Sequence, residues 1–498
     1  GRNAGGALNS TDAVGTVAVG DHSLSALTSG QKTVAIGYEA MLYMTDGDNN
    51  TAVGHTAFRT ADNGESDNVV IGRAAGYSIN HASSDQNVII GSAAGTGGAA
   101  EFSNNIAIGF AALNSTGTNT VSGQIAIGTE ALTSLTSGEY NVAIGHQAMT
   151  TETQGDRNTA VGYQALKDQN GVNGEVHNTA VGYLAGHNIT TGKSNTLLGS
   201  EVGTSLTTAS QSICIGRTAG NTISTGNQNI AVGFGAISNA TTTGDNNIAV
   251  GANAGNDLTS GYHNIFMGLN SGKAVSTGLL NIGIGRNALK ATTTGNGIVA
   301  VGHDAISVGD PDSDTVAFGN GALMNAAAGS LRNTALGHQA GSDHTTGDDC
   351  VYVGTNAGMQ NRTGVSNTYV GSNAGEGVDN NSNSYNTAVG HKSLHVITTG
   401  QFNQAFGYQS GEDLTTGGHN ALYGADAGAS LTTASQSVFI GSQAGASPLT
   451  GNANIGIGYD ALNGATTTGD HNIAIGLSAG DALTSGYANT LMGKDAGG

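Results

Sequence analysis

The sequence predicts an all-β protein, a β-solenoid or β-roll built from coils of about 17 residues, and three observations predict it. A unit of the form Φ-x-Φ-Gly, with Φ apolar, recurs 28 times between Gly20 and Gly493, and 18 of the 27 intervals are 17 residues long. β-Branched residues, which suit a pleated surface, fall at fixed places within that unit. Glycine, 82 of 498 residues against 2 prolines, follows the repeat instead of forming low-complexity tracts. Composition alone would allow disorder, but a fixed period marks order by repetition.

The strand comes first in each coil. The place before the anchor glycine is apolar in all 28 units, as at Ile108, Ile284 and Ile475 before Gly109, Gly285 and Gly476. Two places earlier stands Val, Ile or Thr in 26 units, the exceptions being Gln404 and Ala421. Side chains of an extended segment alternate, so these two places share one face. The place between them points the other way and is also apolar or small, with 16 alanines. A strand with one wet face would carry polar residues there. Both faces therefore read as dry. We expect the Val/Ile/Thr face, with its threonines, to be buried in the coil, and the alanine-lined face to need cover from a neighbouring copy, because an open apolar strip of that length would be adhesive.

Four places before the anchor, Asn fills 20 of 28 units, including Asn50, Asn158, Asn264 and Asn472. Stacked in register about 4.8 Å apart, such amides can hydrogen-bond up a ladder. Asn as a plain turn residue explains the pattern equally well. Gly recurs seven places before the anchor within TTG or TSG, as at Gly192, Gly261 and Gly469, where a tight turn asks for positive φ. Three places after the anchor, 23 alanines and 4 serines imply close backbone packing. Each coil thus reads as strand, turn, short second strand, turn.

No interval is long enough to mark a domain boundary, so residues 1–498 read as one continuous array of about 28 coils, taken as a fragment of a longer chain because it starts and stops within repeats. The net charge of −20, from 15 basic and 35 acidic residues, offers no basic patch to nucleic acid. No apolar run reaches the roughly 18 residues of a membrane span. Cys214 and Cys350 are too few for a disulfide framework.

Motifs of chemistry dissolve on inspection. The stretches at 283–288 (GIGRNA) and 456–461 (GIGYDA) mimic a dinucleotide-binding loop, but are ordinary repeats with no helix signal after them. The carboxylates Asp310, Asp312 and Asp314 alternate like the opening of a calcium loop, which would then need an acid where Gly321 stands; a calcium site of another geometry competes with a solvated loop. Twelve units carry His, Tyr or Phe just after the anchor, among them Tyr38, His55, His146, Tyr163, Tyr183 and Tyr408. That row reads either as a glycan-binding stripe or as rings closing the corner of the coil or packing between chains. The scattered histidines assemble into no catalytic or metal set. We expect no cofactor and no enzyme.

At 158–166 (NTAVGYQAL), 178–186 (NTAVGYLAG) and 472–480 (NIAIGLSAG) the chain resembles the Asn-x-Ala-Φ-Gly-x-x-Ala repeats of phage tail fibres, and is similar to the head repeats of trimeric autotransporter adhesins. The resemblance implies left-handed parallel β-rolls, a homotrimer around one axis, display on a virion, extracellular or cell surface, and attachment to a host receptor or glycan. An interwoven triple β-helix, each chain supplying one side per turn, is the alternative architecture. A phage tail fibre is the first expectation for the parent and a bacterial adhesin head the second. An ice-binding solenoid, the third, would need ordered threonine rows facing solvent.

Overall fold

The computed structural model describes residues 1–498 apart from 9–12, 115, 116, 118, 171, 379, 380, 465–467 and 498. Thr467, part of one TTG turn, and Gly171, in the longest inter-strand loop, therefore lie outside the described residues. The chain forms two compact units, Gly1–Val250 and Gly251–Gly498. Both are parallel β-solenoids with a three-residue strand per coil, from Val17–Val19 to Ile248–Val250 in the first and from Ile265–Met267 to Thr490–Met492 in the second. No helix occurs among the described residues.

Within each unit every such strand pairs in parallel with the strand of the next coil, without slip: Val142 with Thr159, Ala143 with Ala160, Ile144 with Val161, and likewise Ile473–Ile475 with Thr490–Met492. Neighbouring strands thus come from consecutive coils of the same chain, which does not fit an interwoven triple helix. The expected second strand is mostly absent. Among the described residues it is regular only at Phe102–Ser103 with Val121–Ser122 and at Gly155–Asp156 with Gly174–Glu175, with isolated bridges such as Asp46 with Asn63. The remainder of the coil is turns, whose amides bond to the coils on either side: Thr56 N donates to Tyr38 O (2.8 Å) and Phe58 N to Ala75 O (2.8 Å).

The direction of the strand faces reverses our expectation. The strand-middle residues are the core: Ala52, Ala160, Ala300, Cys214, Phe266 and Tyr352 are fully buried within one chain. The Val/Ile/Thr face points outward. Ile108 and Ile475 are half-buried, Ile284 is 38% exposed, and Thr179, Thr196 and Thr334 are exposed. The cause is the thinness of the coil. Most strand-middle residues are alanines, buried like the turn alanines three places after the anchor, such as Ala57 and Ala165, and where a larger one is used, as at Val70 or Phe266, the residue six places on is glycine.

The asparagines turn inward as well. Asn50, Asn158, Asn264 and Asn472 are fully buried. Asn158 N donates to Asn141 Oδ1 (2.9 Å), and Asn178 N to Asn158 Oδ1 (3.0 Å). Asn281 N donates to Asn264 Oδ1, and Asn472 N to Asn454 Oδ1. Many of the amide nitrogens also reach a backbone carbonyl of the next coil, Asn141 Nδ2 to Gly155 O at 2.8 Å and Asn472 Nδ2 to Gly486 O at 2.8 Å. The ladder therefore satisfies backbone donors that burial would otherwise leave unpaired.

Two glycine places have different causes. The anchors Gly109, Gly285 and Gly476 have φ of +131°, +127° and +139°, and a Cβ on any of them would lie within 2.6 Å of the carbonyl oxygen of the next anchor. At the TTG glycines the expected positive φ is not found: at Gly192, Gly261 and Gly469 a Cβ would strike the carbonyl oxygen of Ala209, Gly278 or Gly486 within 2.4 Å. Glycine is needed there for close approach. The left-handed residue of that turn falls two places later, on Ser194, His263 and His471 (φ +58°, +57°, +62°).

Candidate interaction surface

The strand face presents two parallel apolar columns to the outside of each unit. One is formed by the residues before the anchors, the other by the residues two places earlier. Val19, Leu198 and Leu336 are 54%, 48% and 48% exposed. With two columns of fourteen residues per unit, the apolar area is on the order of 1,000 Å², above the few hundred Å² common on a monomer surface and of the size one partner contributes to a stable interface.

Rows of rings flank the columns. After the anchors, Tyr38 stacks on His55 (5.0 Å between centroids), His146 on Tyr163 (5.3 Å), Tyr163 on Tyr183 (5.4 Å) and His391 on Tyr408 (5.5 Å). On the other side, Tyr385, Phe402 and His419 stack at 4.8 and 4.9 Å. Phe406 stacks on Tyr423 at 5.0 Å, and the Tyr423 hydroxyl donates to Gln404 Oε1 at 2.8 Å. The coils of Gln404 and Ala421, which break the Val/Ile/Thr rule, thus both carry a ring before the anchor, as does the coil of Phe318, which keeps the rule with Val316. A sugar held by stacking needs a free ring face. In these racks neighbouring rings occupy one another's faces and turn their edges outward, which argues against a stacking platform.

The three carboxylates of the calcium candidate diverge. Asp310 accepts hydrogen bonds from Thr293 N (2.8 Å) and the Thr293 hydroxyl, whereas Asp312 accepts from Gly329 N (3.0 Å), so they cap two different neighbouring coils. Asp314 is exposed at a left-handed position (φ +54°). A separate row of turn acceptors, six places before the anchors, was not singled out from the sequence. Asp48 takes Gln31 N, Asp156 takes Glu139 N, Asp245 takes Asn227 N and Asp348 takes Leu331 N. No group of three or more His, Cys, Asp or Glu able to hold a metal occurs among the described residues.

Buried ionisable groups lie in the cores. Glu65 is fully buried with Oε2 unpartnered, and burial, with Asp62 and Asp46 nearby, pushes its carboxyl up to about 7. Glu152 is satisfied: Oε1 accepts from the backbone N–H of Thr153, Gln154 and Gly155, and Oε2 from Gln169. His344 lies between Gly347 O (2.8 Å from Nε2) and Asn361 O (3.1 Å from Nδ1), and burial lowers its basicity. Cys214 and Cys350 are free and buried. The residues 283–288 and 456–461 sit at a strand followed by turns, without the helix a dinucleotide site requires.

No protein-family model matches the chain, and no curated protein matches it. No helix of the described residues is long and apolar enough to cross a membrane.

Proposed function

We propose that the protein is a non-enzymatic structural element, a fibre or adhesin shaft displayed on a virion or cell surface and mediating attachment to a host cell. A phage tail fibre is the first candidate for its parent and a bacterial trimeric adhesin the second. One observation carries the reading: the outward apolar columns, which a second and third copy of the same chain can cover. Repetition makes the same face available at every level, so copies related by an axis along the stack meet like with like. Light scattering on the purified chain tests this. A trimer is expected, and Ile108→Lys with Ile144→Lys, both on the outward face, should give monomers with unchanged circular dichroism. A monodisperse wild-type monomer defeats the assembly claim. Attachment is read separately, as binding of fluorescent chain to a panel of bacterial cells.

A specific observation favours a second reading. Thr159, Thr179 and Thr196 pair in consecutive coils on the outward face, where an ice-binding surface would need them. Thermal hysteresis of the solution decides it, and none is expected if the face serves assembly.

A further inference from the structure

We propose that a groove on the turn side of the second unit binds a short neutral oligosaccharide, an inference that rests on the attachment role above. The groove has a volume of about 640 Å³ and is lined by Val308, Asn325, Asp343, Thr345, Gln360 and Arg362 among others. That volume lies within the roughly 300–1,000 Å³ of small-molecule sites.

Its origin is a change in the core beneath it. Seven places after the anchor twelve coils turn a fully buried Leu, Ile, Met or Val inward, such as Leu206, Ile223 or Leu258. In two consecutive coils that place holds only Gly309 and Ala326. A Cβ on Gly309 would sit 1.8 Å from Ala326 O, so the two backbones touch where a side chain would separate them. The outer wall is dished at this point. The next two coils place His344 and Asn361 there, both buried and joined by the 3.1 Å contact between His344 Nδ1 and Asn361 O. This polar seam fixes the floor.

The lining has the chemistry that recognises sugar hydroxyls, which donate and accept at once. Gln360 lines the groove, and its Oε1 is buried and takes no hydrogen bond among the described residues, so a turn of this amide toward the groove gives the oxygen a ligand hydroxyl it otherwise lacks. Asn325 Nδ2 is held by Ser342 O at 3.0 Å and lies 3.4 Å from Asp343 Oδ1, so amide and carboxylate stand side by side, spaced for adjacent hydroxyls. Val308, 62% exposed, offers an apolar edge to the C–H face of a pyranose. Asp343 and Arg362 oppose each other in charge within the groove, and the chain carries a net −20. Long-range repulsion therefore selects against acidic glycans.

Calorimetry of the full chain with maltotriose, chitotriose, lacto-N-tetraose and sialyllactose tests the groove. At least one of the three neutral sugars is expected to bind, and Gln360→Ala and Asp343→Ala should each weaken it about tenfold, the size of one lost hydrogen bond to a buried or charged partner. Val308→Arg, at an exposed position, fills the groove from solvent without touching the core and must give the same loss with an unchanged melting temperature. The control Gln164→Ala, in the first unit, should bind like wild type. No neutral sugar bound, binding of sialyllactose alone, or full binding by Val308→Arg overturns the proposal. Cell attachment that persists without sugar binding overturns the groove alone. Sugar binding without cell attachment overturns the attachment role and leaves the groove standing.

Discussion

Replacing Phe266 by Ala together with Gly272 by Leu should nearly restore the stability that either change alone removes. In ten coils the strand-middle residue exceeds alanine, as at Val70, Leu197, Cys214, Phe266, Tyr352 and Phe439, and in all ten the residue six places on is glycine: Gly76, Gly203, Gly220, Gly272, Gly358 and Gly445 in these six. Where the later place holds a large residue, as at Met41, Phe58, Leu166 and Leu289, the strand-middle residue is Ala35, Ala52, Ala160 or Gly283. Both side chains point into one thin interior. A Cβ on Gly272 would lie 2.3 Å from Phe266 Cδ1, and one on Gly358 2.3 Å from Tyr352 Cδ1.

Phe266→Ala alone opens a cavity and should cost about 3–5 kcal/mol. Gly272→Leu alone overpacks, costing about 1–3 kcal/mol, and adds about 1–2 kcal/mol for a side chain at φ +57°. The double variant recreates the Ala160/Leu166 solution, in which Leu166 itself sits at φ +49°, so only the left-handed cost remains. The coupling is then about 4 kcal/mol or more. Because stacked repeats open locally and not as one two-state unit, the assay is hydrogen exchange at the amides of Ile265–Met267, supported by thermal melts. Loss of protection in the double variant equal to the sum of the single losses refutes the shared-volume argument.

Three further outcomes follow from the buried groups. Glu65 has a folded pKa of about 7 against a reference of 4.5. Its burial is therefore tolerated in full below pH 4.5, and stability is lost as pH rises from 4.5 to 7, by at most about 3 kcal/mol at 1.36 kcal/mol per unit; Glu65→Gln should flatten that stretch of the melting-temperature profile, and an unchanged profile contradicts the assignment. Asn158→Leu should cost about 1–3 kcal/mol, since it strands the Asn178 amide, whereas Asn158→Ser should cost less, because Ser212 already fills a rung by accepting from Asn229 N; equal losses measured by melting would contradict the ladder. The Cys214 thiol, pushed up to about 12 by burial, should resist maleimide in the native protein and react once denatured, as mass spectrometry would show.

The period, the strand and the parallel stacking were legible in the sequence, since they depend on local pattern: β-branched residues at fixed places and an anchor glycine whose Cβ would strike the next coil. The direction of the faces was not. Alternation says only that the β-branched and alanine places oppose each other, without saying which is inside, and here Thr159 lies outside while Ala160 lies within. Coil thickness decides it, and its clue is the small residue three places after the anchor, such as Ala165, which leaves room inside for the strand-middle side chain but not for the β-branched pair. The exchange of volume between Phe266 and Gly272 could also have been found by tabulating the two places together. The groove at Val308 depends on Gly309 and Ala326 replacing larger inward residues, a departure from the column that a search for motifs does not see. The TTG glycines gave the turn correctly but suggested the wrong cause, because positive φ and close approach select the same residue.

Threonine separates the two outward columns in a way that strand propensity does not explain. It is β-branched and would serve a solvated strand at either place. It occurs eight times two places before the pre-anchor residue and never at the pre-anchor residue, which is Val, Ile, Leu, Met, Phe or Tyr in all 28 coils. Water in contact with both columns would have no means of enforcing that difference. A partner that covers the pre-anchor column fully and leaves the threonine-bearing column toward its rim would, since a hydroxyl at the rim keeps its hydrogen bonds while one at the centre loses them. The left-handed residues beyond the threonine column are mostly polar, as at Lys32, Asn49, Asp67, Gln86 and Asn104 in successive coils, with Leu280 and the rings of Tyr140, Tyr385 and Phe402 as exceptions. From polar rim to apolar centre, the face is graded like an interface, and the proposed assembly places its axis on the side of Ile108, Ile284 and Ile475.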